Sequence, residues 1–457
     1  MHYEQFADGT VKCIEDEIPF EVPENWEWCR INSISENVTD GDHQPPPQTE
    51  SGFPFLVISN VSDGYIHFEN TRYVSKEYYQ TLSEYRKARA GDLLFTVTGS
   101  YGIPVPVESS QPFCFQRHIA IIRPCEISNQ YLSIVLSSKY IKRLCDELST
   151  GTAQKTVGLA TLRNFLIPIP PANEQALIID KVHRLLILVD EIRDNKNQLI
   201  DVVNAAKLKI LDLAIRGRLV PQDPNDEPAS ALVERIRAEK EKLIQEGKIK
   251  RDKKESFIFK GEDNSYYEKT GSKTVCIDGQ LPLEIPDSWT WCRGYSCFMG
   301  MKTKKPEGEF FNYIDIDSID NKQHIVNQPK HLATKAAPSR ANRALQEGSV
   351  VFSLVRPYLE NVAFIDVTLN DCIASTGFYI CNSNGTYYPE FMFYLMISKY
   401  VIDGLNQFMK GDNSPSISKE SIENWLYPVP PYNEQIAIVE RLKSIKIQIM
   451  GIETSLT

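Results

Sequence analysis

What this chain lacks narrows its class. None of its ten cysteines stands in a Cys-x-x-Cys pair, so no zinc-knuckle or dithiol-redox spacing is present, and reduced, mostly buried thiols of a cytosolic protein are expected. No basic start leads into an apolar run, and the most apolar stretch, Ala176 to Val189, is broken by Asp180, Lys181, His183 and Arg184; neither a signal peptide nor a membrane span is expected. Catalytic motifs are missing as well. Gly271-Ser272-Lys273-Thr274 has Tyr266 where a phosphate loop needs its upstream glycine. There is no His-Glu-x-x-His, Gly-x-Ser-x-Gly or Gly-x-Gly-x-x-Gly. Two Pro-Pro pairs are preceded by Ile169 and Val429, which supply no amide or carboxylate to hold a target amine. The seven histidines are scattered, and His118 and His183 suit a core or a helix surface better than a metal site. These absences favour a binding component over an enzyme.

Two stretches are written twice. Glu21-Val-Pro-Glu-Asn-Trp-Glu-Trp-Cys-Arg30 returns as Glu284-Ile-Pro-Asp-Ser-Trp-Thr-Trp-Cys-Arg293, and Ile167-Pro-Ile-Pro-Pro-Ala-Asn-Glu-Gln175 returns as Tyr427-Pro-Val-Pro-Pro-Tyr-Asn-Glu-Gln435. Pro23 and Pro286 lie 263 positions apart, Pro168 and Pro428 260. Ala90-Gly-Asp-Leu-Leu-Phe95 matches Glu347-Gly-Ser-Val-Val-Phe352, and Ser138-Lys-Tyr-Ile141 matches Ser398-Lys-Tyr-Val401. One module is thus used twice in tandem. Between these anchors, Thr39 to Tyr85 and Gly300 to Ala344 share little, which predicts one scaffold presenting two different recognition surfaces.

At 457 residues, 42% hydrophobic and 24% charged, the chain has the composition of a soluble globular protein with room for more than one core. Within each copy, Trp26 and Trp28 alternate as in a strand. β-like runs follow at Pro54–Val61, Asp92–Thr98 and His118–Arg123, then a helix near Gln130–Leu148. The second copy repeats the plan with Phe311–Ile316, Ser349–Val355, Gly377–Cys381 and a helix near Pro389–Phe408. The fold class is therefore α+β, with two mixed α/β domains.

A long helix follows each Pro-Pro block, with Asn173 and Asn433 placed to cap it. Ile178, Val182, Leu185, Val189, Ile192, Leu199 and Val203 fall on a heptad seam, as do Ile438, Leu442, Ile445, Ile449 and Ile452. The spacing predicts a left-handed coiled coil with the two seams antiparallel, Lys196 being the one misfit. A forty-residue helix would span about 60 Å, between one and two turns of B-DNA. Gly217 ends the first helix. A linker then holds a helix at Ala229–Glu246, capped by Asp226 with Pro228 in its first turn, and a basic run at Lys248, Lys250, Arg251, Lys253 and Lys254.

Fifty basic against sixty acidic residues give a net charge of −10, a weak argument against nucleic acid because a binding face needs only local excess. Such excess stands at Arg72, Arg86, Lys87 and Arg89 in the first copy. In the second it stands at Lys302, Lys304, Lys305, Lys335, Arg340 and Arg343, with Lys330 beside them. Lys155 and Arg356 join these candidates from turn regions. Each also reads as plain solvated charge, and sequence does not separate base from phosphate contacts.

The pairing of Val/Ile-Pro-x-x-Trp-x-Trp with a downstream Pro-Ile/Val-Pro-Pro-x-x-Glu-Gln and long helix, present twice, resembles the specificity subunit of type I restriction-modification systems. The resemblance covers nearly the whole chain. It implies target-recognition domains at 1–166 and 281–426, a first coiled-coil helix at 167–217, a linker with a helix and a basic run at 218–280, and a short second helix at 427–457. Each domain would read half of a bipartite site in double-stranded DNA. The helices would set the spacer and dock two modification subunits, which bind S-adenosylmethionine and methylate adenine; restriction subunits would supply ATP- and Mg-dependent translocation and cleavage. The chain itself would carry no cofactor and no catalytic residue, and would be cytoplasmic. Tyr3-Glu4 corresponds to Tyr267-Glu268, so the first copy lacks the preceding helix and basic linker of the second. Because Thr457 matches Asn197, Leu199 to Leu213 is expected to lack a full partner within the last helix. From a different class, a coiled-coil scaffold with two protein-binding globules fits the same repeats; salt-dependent duplex binding separates the two readings.

Overall fold

The computed structural model of the chain describes residues 1–44, 46–152, 154–248 and 255–456. The expected contacts at Lys250, Arg251, Lys253 and Lys254 lie outside the described residues. The fold is mixed α and β, in two compact units, Met1–Arg193 and Asp194–Thr457. No helix among the described residues is long and apolar enough to cross a membrane.

The two repeated signatures are hydrogen-bonded neighbours. Glu27–Arg30 pairs antiparallel with Leu166–Ile169, and Thr290–Arg293 pairs antiparallel with Leu426–Val429. The register is the same in both: Trp28 faces Pro168, and Trp291 faces Pro428. Proline is tolerated because each ladder has only two strands. The arginine that ends each first strand holds an acidic side chain from the hairpin upstream. Arg30 Nη2 lies 2.8 Å from Glu4 Oε2, and Arg293 Nη2 lies 2.8 Å from Glu268 Oε2, so the correspondence of Tyr3-Glu4 with Tyr267-Glu268 is physical.

Inside each clasp sits a sheet buried on both faces. In the first unit the strand order is Ser35–Asp40, Ile119–Pro124, Leu93–Thr96, Pro104–Pro106. Side chains alternate across a strand. Leu93 and Phe95 therefore pack with the helices at Asn129–Leu136 and Lys139–Leu148, while Leu94 and Ile121 join a second core on the other face. In the second unit Val350 and Phe352 face one core, and Val351 and Ile380 the other. The single helix expected after each sheet is broken in two. Ser138 and Ser398 cap the second pieces, accepting from Ile141 N and Val401 N.

The Glu-Gln pair after each Pro-Pro block ties the long helix to its unit. Glu174 accepts from Asn25 Nδ2 and Trp26 Nε1, both at 2.7 Å. Glu434 accepts from Trp289 Nε1 at 2.9 Å and Gln222 Nε2 at 2.6 Å. Gln175 Nε2 donates to Pro170 O, and Gln435 Nε2 to Pro430 O, each at 3.0 Å. Their side-chain oxygens accept from Ser128 N and Tyr388 N. Each glutamate takes two side-chain donors, so the helix start is tied to the clasp at more than one point.

Several helix expectations are corrected. The helices run Ala172–Ile215 and Tyr432–Leu456, so Asn173 and Asn433 sit in the first turn; the Pro171 and Pro431 carbonyls accept the first helical bonds, from Gln175 N and Gln435 N. The linker helix at Ala229–Gln245 begins on Pro228 without a side-chain cap, because Asp226 instead accepts from Asn433 Nδ2. Lys248 pairs with Glu246. Gly217 does end the first helix, at φ +66°, where a Cβ would fall 2.5 Å from Pro286 Cγ.

Within the second unit Glu434 meets Gln222 while Glu453 meets Lys207, so the two helices run in opposite directions. Ala214, Ile215, Ile438, Val439 and Leu442 share one core, and Ile210 packs against it; Val203 is buried too, and Ile445 and Ile449 are half-buried. The expectation that Leu199 to Leu213 lacks a full partner within the last helix therefore fails at Lys207 and Ile210, which meet that helix, while Leu199 is exposed. Opposite-running helices match late residues of one with early residues of the other, and the repeat alignment ignored that inversion. Of the remaining seam, Ile178 and Val182 are half-buried, while Leu185, Val189, Ile192, Leu199 and Ile452 are exposed among the described residues.

Candidate nucleic-acid interface

Loops gather at the same end of the central sheet in both units. In the first, the loop after Leu93–Thr96 is pinned by Val97 N donating to His118 O at 2.9 Å and Gly99 N donating to Lys155 O at 3.2 Å. In the second, Leu354 N donates to Gly377 O at 2.8 Å and Arg356 N to Pro415 O at 2.7 Å. Bridges Thr98 to Thr156 and Val355 to Ser416 complete the match. Gly99 and Arg356 are thus equivalent positions, as are Lys155 and Pro415, and Arg117 and Thr376.

The backbone there is left-handed in both units, with Gly99 at φ +75° and Arg356 at φ +48°. Glycine adopts this region freely, whereas a residue with a Cβ is destabilised by about 1–2 kcal/mol. Arg356 opens a short turn, Pro357–Leu359, closed by a second left-handed residue, Glu360. Arg356 Nη2 donates to Asn413 O at 3.0 Å, and the residue is exposed, as are Tyr358 and Leu359.

The predicted basic residues divide sharply. Arg86, Lys87 and Arg89 face Asp40 at 3.8 Å, Glu84 at 2.6 Å and Glu36 at 3.0 Å, and Lys87 also lies over the Tyr79 ring; their local excess is balanced by acids of the same unit. Arg72 is exposed on Arg72–Val74, and Lys155 is exposed at the sheet end. In the second unit, Lys302 and Lys304 run beside the strand Ala341–Ala344, through Ala344 N to Lys302 O and Lys304 N to Asn342 O, and Thr303 bridges Arg343. Lys302, Lys304, Lys305 and Arg343 are thereby brought together, although Lys304 Nζ also donates to Asp371 O. Arg343 Nε is buried without a hydrogen-bond partner among the described residues. Arg340 O accepts from Thr376 N, so Arg340 joins the Arg356 end. Lys335 follows Lys330–Ala333 at the opposite edge of the strand order from Ala341–Ala344, and Lys330 is held by Asp317 at 2.7 Å. Near Lys335, a half-exposed Phe310 stacks on His331 with centroids 5.1 Å apart.

Sequence reasoning missed Arg117. It is exposed, adjoins His118 at the sheet end, and makes no ion pair among the described residues. The sequence carries no cluster signal for it, because Arg117 has no other lysine or arginine beside it and its counterpart in the second unit, Thr376, is uncharged.

A duplicated α/β frame thus bears two unlike loop clusters, with exposed Arg117 and Lys155 at the sheet end of the first unit and exposed Arg356 at that of the second. Residues 23–201 match the type I restriction modification DNA specificity domain. The chain is 26% identical to the type I restriction enzyme EcoAI specificity subunit of Escherichia coli, over 94% of its own length and 79% of that protein's. It is 28% identical to the EcoEI specificity subunit of Escherichia coli, over 61% of its length and 51% of that protein's. The fold matches the HsdS subunit from Thermoanaerobacter tengcongensis with a TM-score of 0.58 at 16% identity, covering 96% and 94% of the two chains. Along most of its length the chain is similar to specificity subunits of type I restriction enzymes.

Proposed function

We propose that the chain is the non-catalytic DNA-recognition subunit of a type I restriction-modification complex in the cytoplasm. Each unit is a target-recognition domain that reads one half of a bipartite duplex site through the loops at its sheet end. The long helices form an antiparallel coiled coil that sets the spacer and docks two modification subunits. S-adenosylmethionine, ATP and Mg belong to the modification and restriction subunits. The observation that carries this reading is the exact repetition of clasp register and Trp–Glu tie around loops whose charge differs between the units, as expected when one frame reads two sequences. Exposed Leu185, Val189 and Ile192 support a partner on the helix.

The test is co-expression with the neighbouring modification and restriction genes, followed by single-molecule sequencing of host DNA for methyladenine. A bipartite, asymmetric methylated motif that disappears on deletion of this chain is expected. An unchanged methylome would sink the proposal and return the scaffold reading.

A further inference from the structure

We infer that Arg356 is a specificity-determining residue of the second unit, held in a strained backbone so that its guanidinium reads a base edge in that unit's half-site. This rests on the DNA-recognition reading above and goes further by assigning one residue to one half. Three observations carry it. Arg356 occupies, at φ +48°, the place where the first unit has Gly99; a left-handed arginine is kept at a cost that glycine would remove. Its side chain is exposed and makes no ion pair among the described residues, its one bond going to Asn413 O.

The third observation is a transposition of charge. The first unit places Arg117 and Lys155, neither in an ion pair among the described residues, around Gly99, whereas the second places Thr376 and Pro415 around Arg356. Each unit thus offers cations at this sheet end, but from different backbone positions and so in different directions. Direction matters little to a phosphate, which a flexible lysine on any loop can reach. It matters to the two acceptors on a guanine edge, which a guanidinium fork meets in one orientation. The short turn Pro357–Leu359, opened by Arg356 and closed by Glu360, sets the origin of that fork.

Arg356→Gly installs the first unit's residue and separates the possibilities. The full chain and the variant are each used to select bound sequences from a pool of randomised duplex DNA, with thermal unfolding measured in parallel. The wild-type chain is expected to enrich a bipartite motif. The variant is expected to relax one half by about five- to hundred-fold at the affected position, keep the other half, and unfold at an unchanged or higher temperature because the strain is gone. Arg356→Lys keeps strain and charge without the fork, and is expected to retain affinity while still relaxing that half. An unchanged motif in both variants overturns the inference, as does a lowered unfolding temperature with the motif intact. A uniform loss of affinity, with a salt slope shallower by about one and both halves intact, assigns Arg356 to a phosphate and overturns the base-reading role. If the wild-type chain enriches no motif, the DNA-recognition reading itself fails, which is a distinct result.

Discussion

At one position the two units solve the same problem with different chemistry. Gly91 and Gly348 each turn the chain into the central strand, and the next residue faces the neighbouring strand. In the first unit this is Asp92, buried and gripped by Arg123 through Nε at 2.8 Å and Nη2 at 2.9 Å. In the second it is Ser349, bonded to Asn382 Oδ1 at 2.5 Å. Both side chains also accept from the turn: Arg89 N donates to Asp92 Oδ2, and Gln346 N to Ser349 Oγ. Capping the turn is what the frame requires, and charge is an addition peculiar to the first unit. Arg123 also donates from Nη2 to Lys87 O at 3.0 Å and from Nη1 to Glu84 O at 3.5 Å, so the ion pair anchors the segment carrying Arg86, Lys87 and Arg89.

The largest expected effect breaks this comparison on one side. Asp92→Ala strands a buried guanidinium and should destabilise the first unit by about 3–5 kcal/mol, whereas Ser349→Ala should cost the second about 1–2 kcal/mol. Hydrogen exchange followed over the peptides of each unit measures both; equal losses would show that the charge contributes nothing of its own. Transplanting the neutral pair, with Asp92→Ser and Arg123→Asn together, should recover most of the loss while leaving the 84–89 segment faster to exchange.

A smaller effect is expected at the helix ties. Trp289 is 3% exposed and Trp26 only half-buried, so Glu434→Ala should cost about 2–3 kcal/mol and Glu174→Ala about 1. Burial raises the carboxyl of Glu434 above its ordinary value, opposed by the bonds from Trp289 and Gln222. A raised folded pKa means that the stabilisation is complete below the unfolded carboxyl value and is lost as pH rises through the folded one. The second unit should therefore weaken as pH climbs out of the carboxylate range, and Glu434→Gln should flatten that slope in a pH series of denaturant unfolding. A slope unaltered by the substitution would refute the assignment. Smallest and most alike are the caps: Ser138→Ala and Ser398→Ala should each cost about 1 kcal/mol, and a marked inequality in their thermal shifts would argue against a common frame.

The frame was legible because it is local and repeated: the Trp-x-Trp and Pro-Pro signatures became paired strands, and the Leu-Leu-Phe and Val-Val-Phe runs became strands buried on both faces. The interface was less legible because charge is balanced through space. Arg89 looks basic among its neighbours, yet its counter-ion Glu36 stands 53 positions earlier, and Arg117 looks isolated although it adjoins the loop that holds Lys155. Asn173 was misread for a related reason. An asparagine after Pro-Pro fits a cap by residue type, but Pro171 O already accepts the first helical bond. Helix direction was predicted, but its effect on which residues lie bare was not carried through the alignment.

Because Arg30 pairs with Leu166 and Arg293 with Leu426, the chain enters and leaves each globule at adjoining points, as through the neck of a bag. Whatever lies beyond the neck is a loop as far as the rest of the molecule is concerned. Closing such a loop grows dearer only with the logarithm of its length, by about 0.6 kcal/mol per doubling, so its contents can be lengthened, shortened or exchanged outright while the mouth, and the helix hung from it, stay where they are.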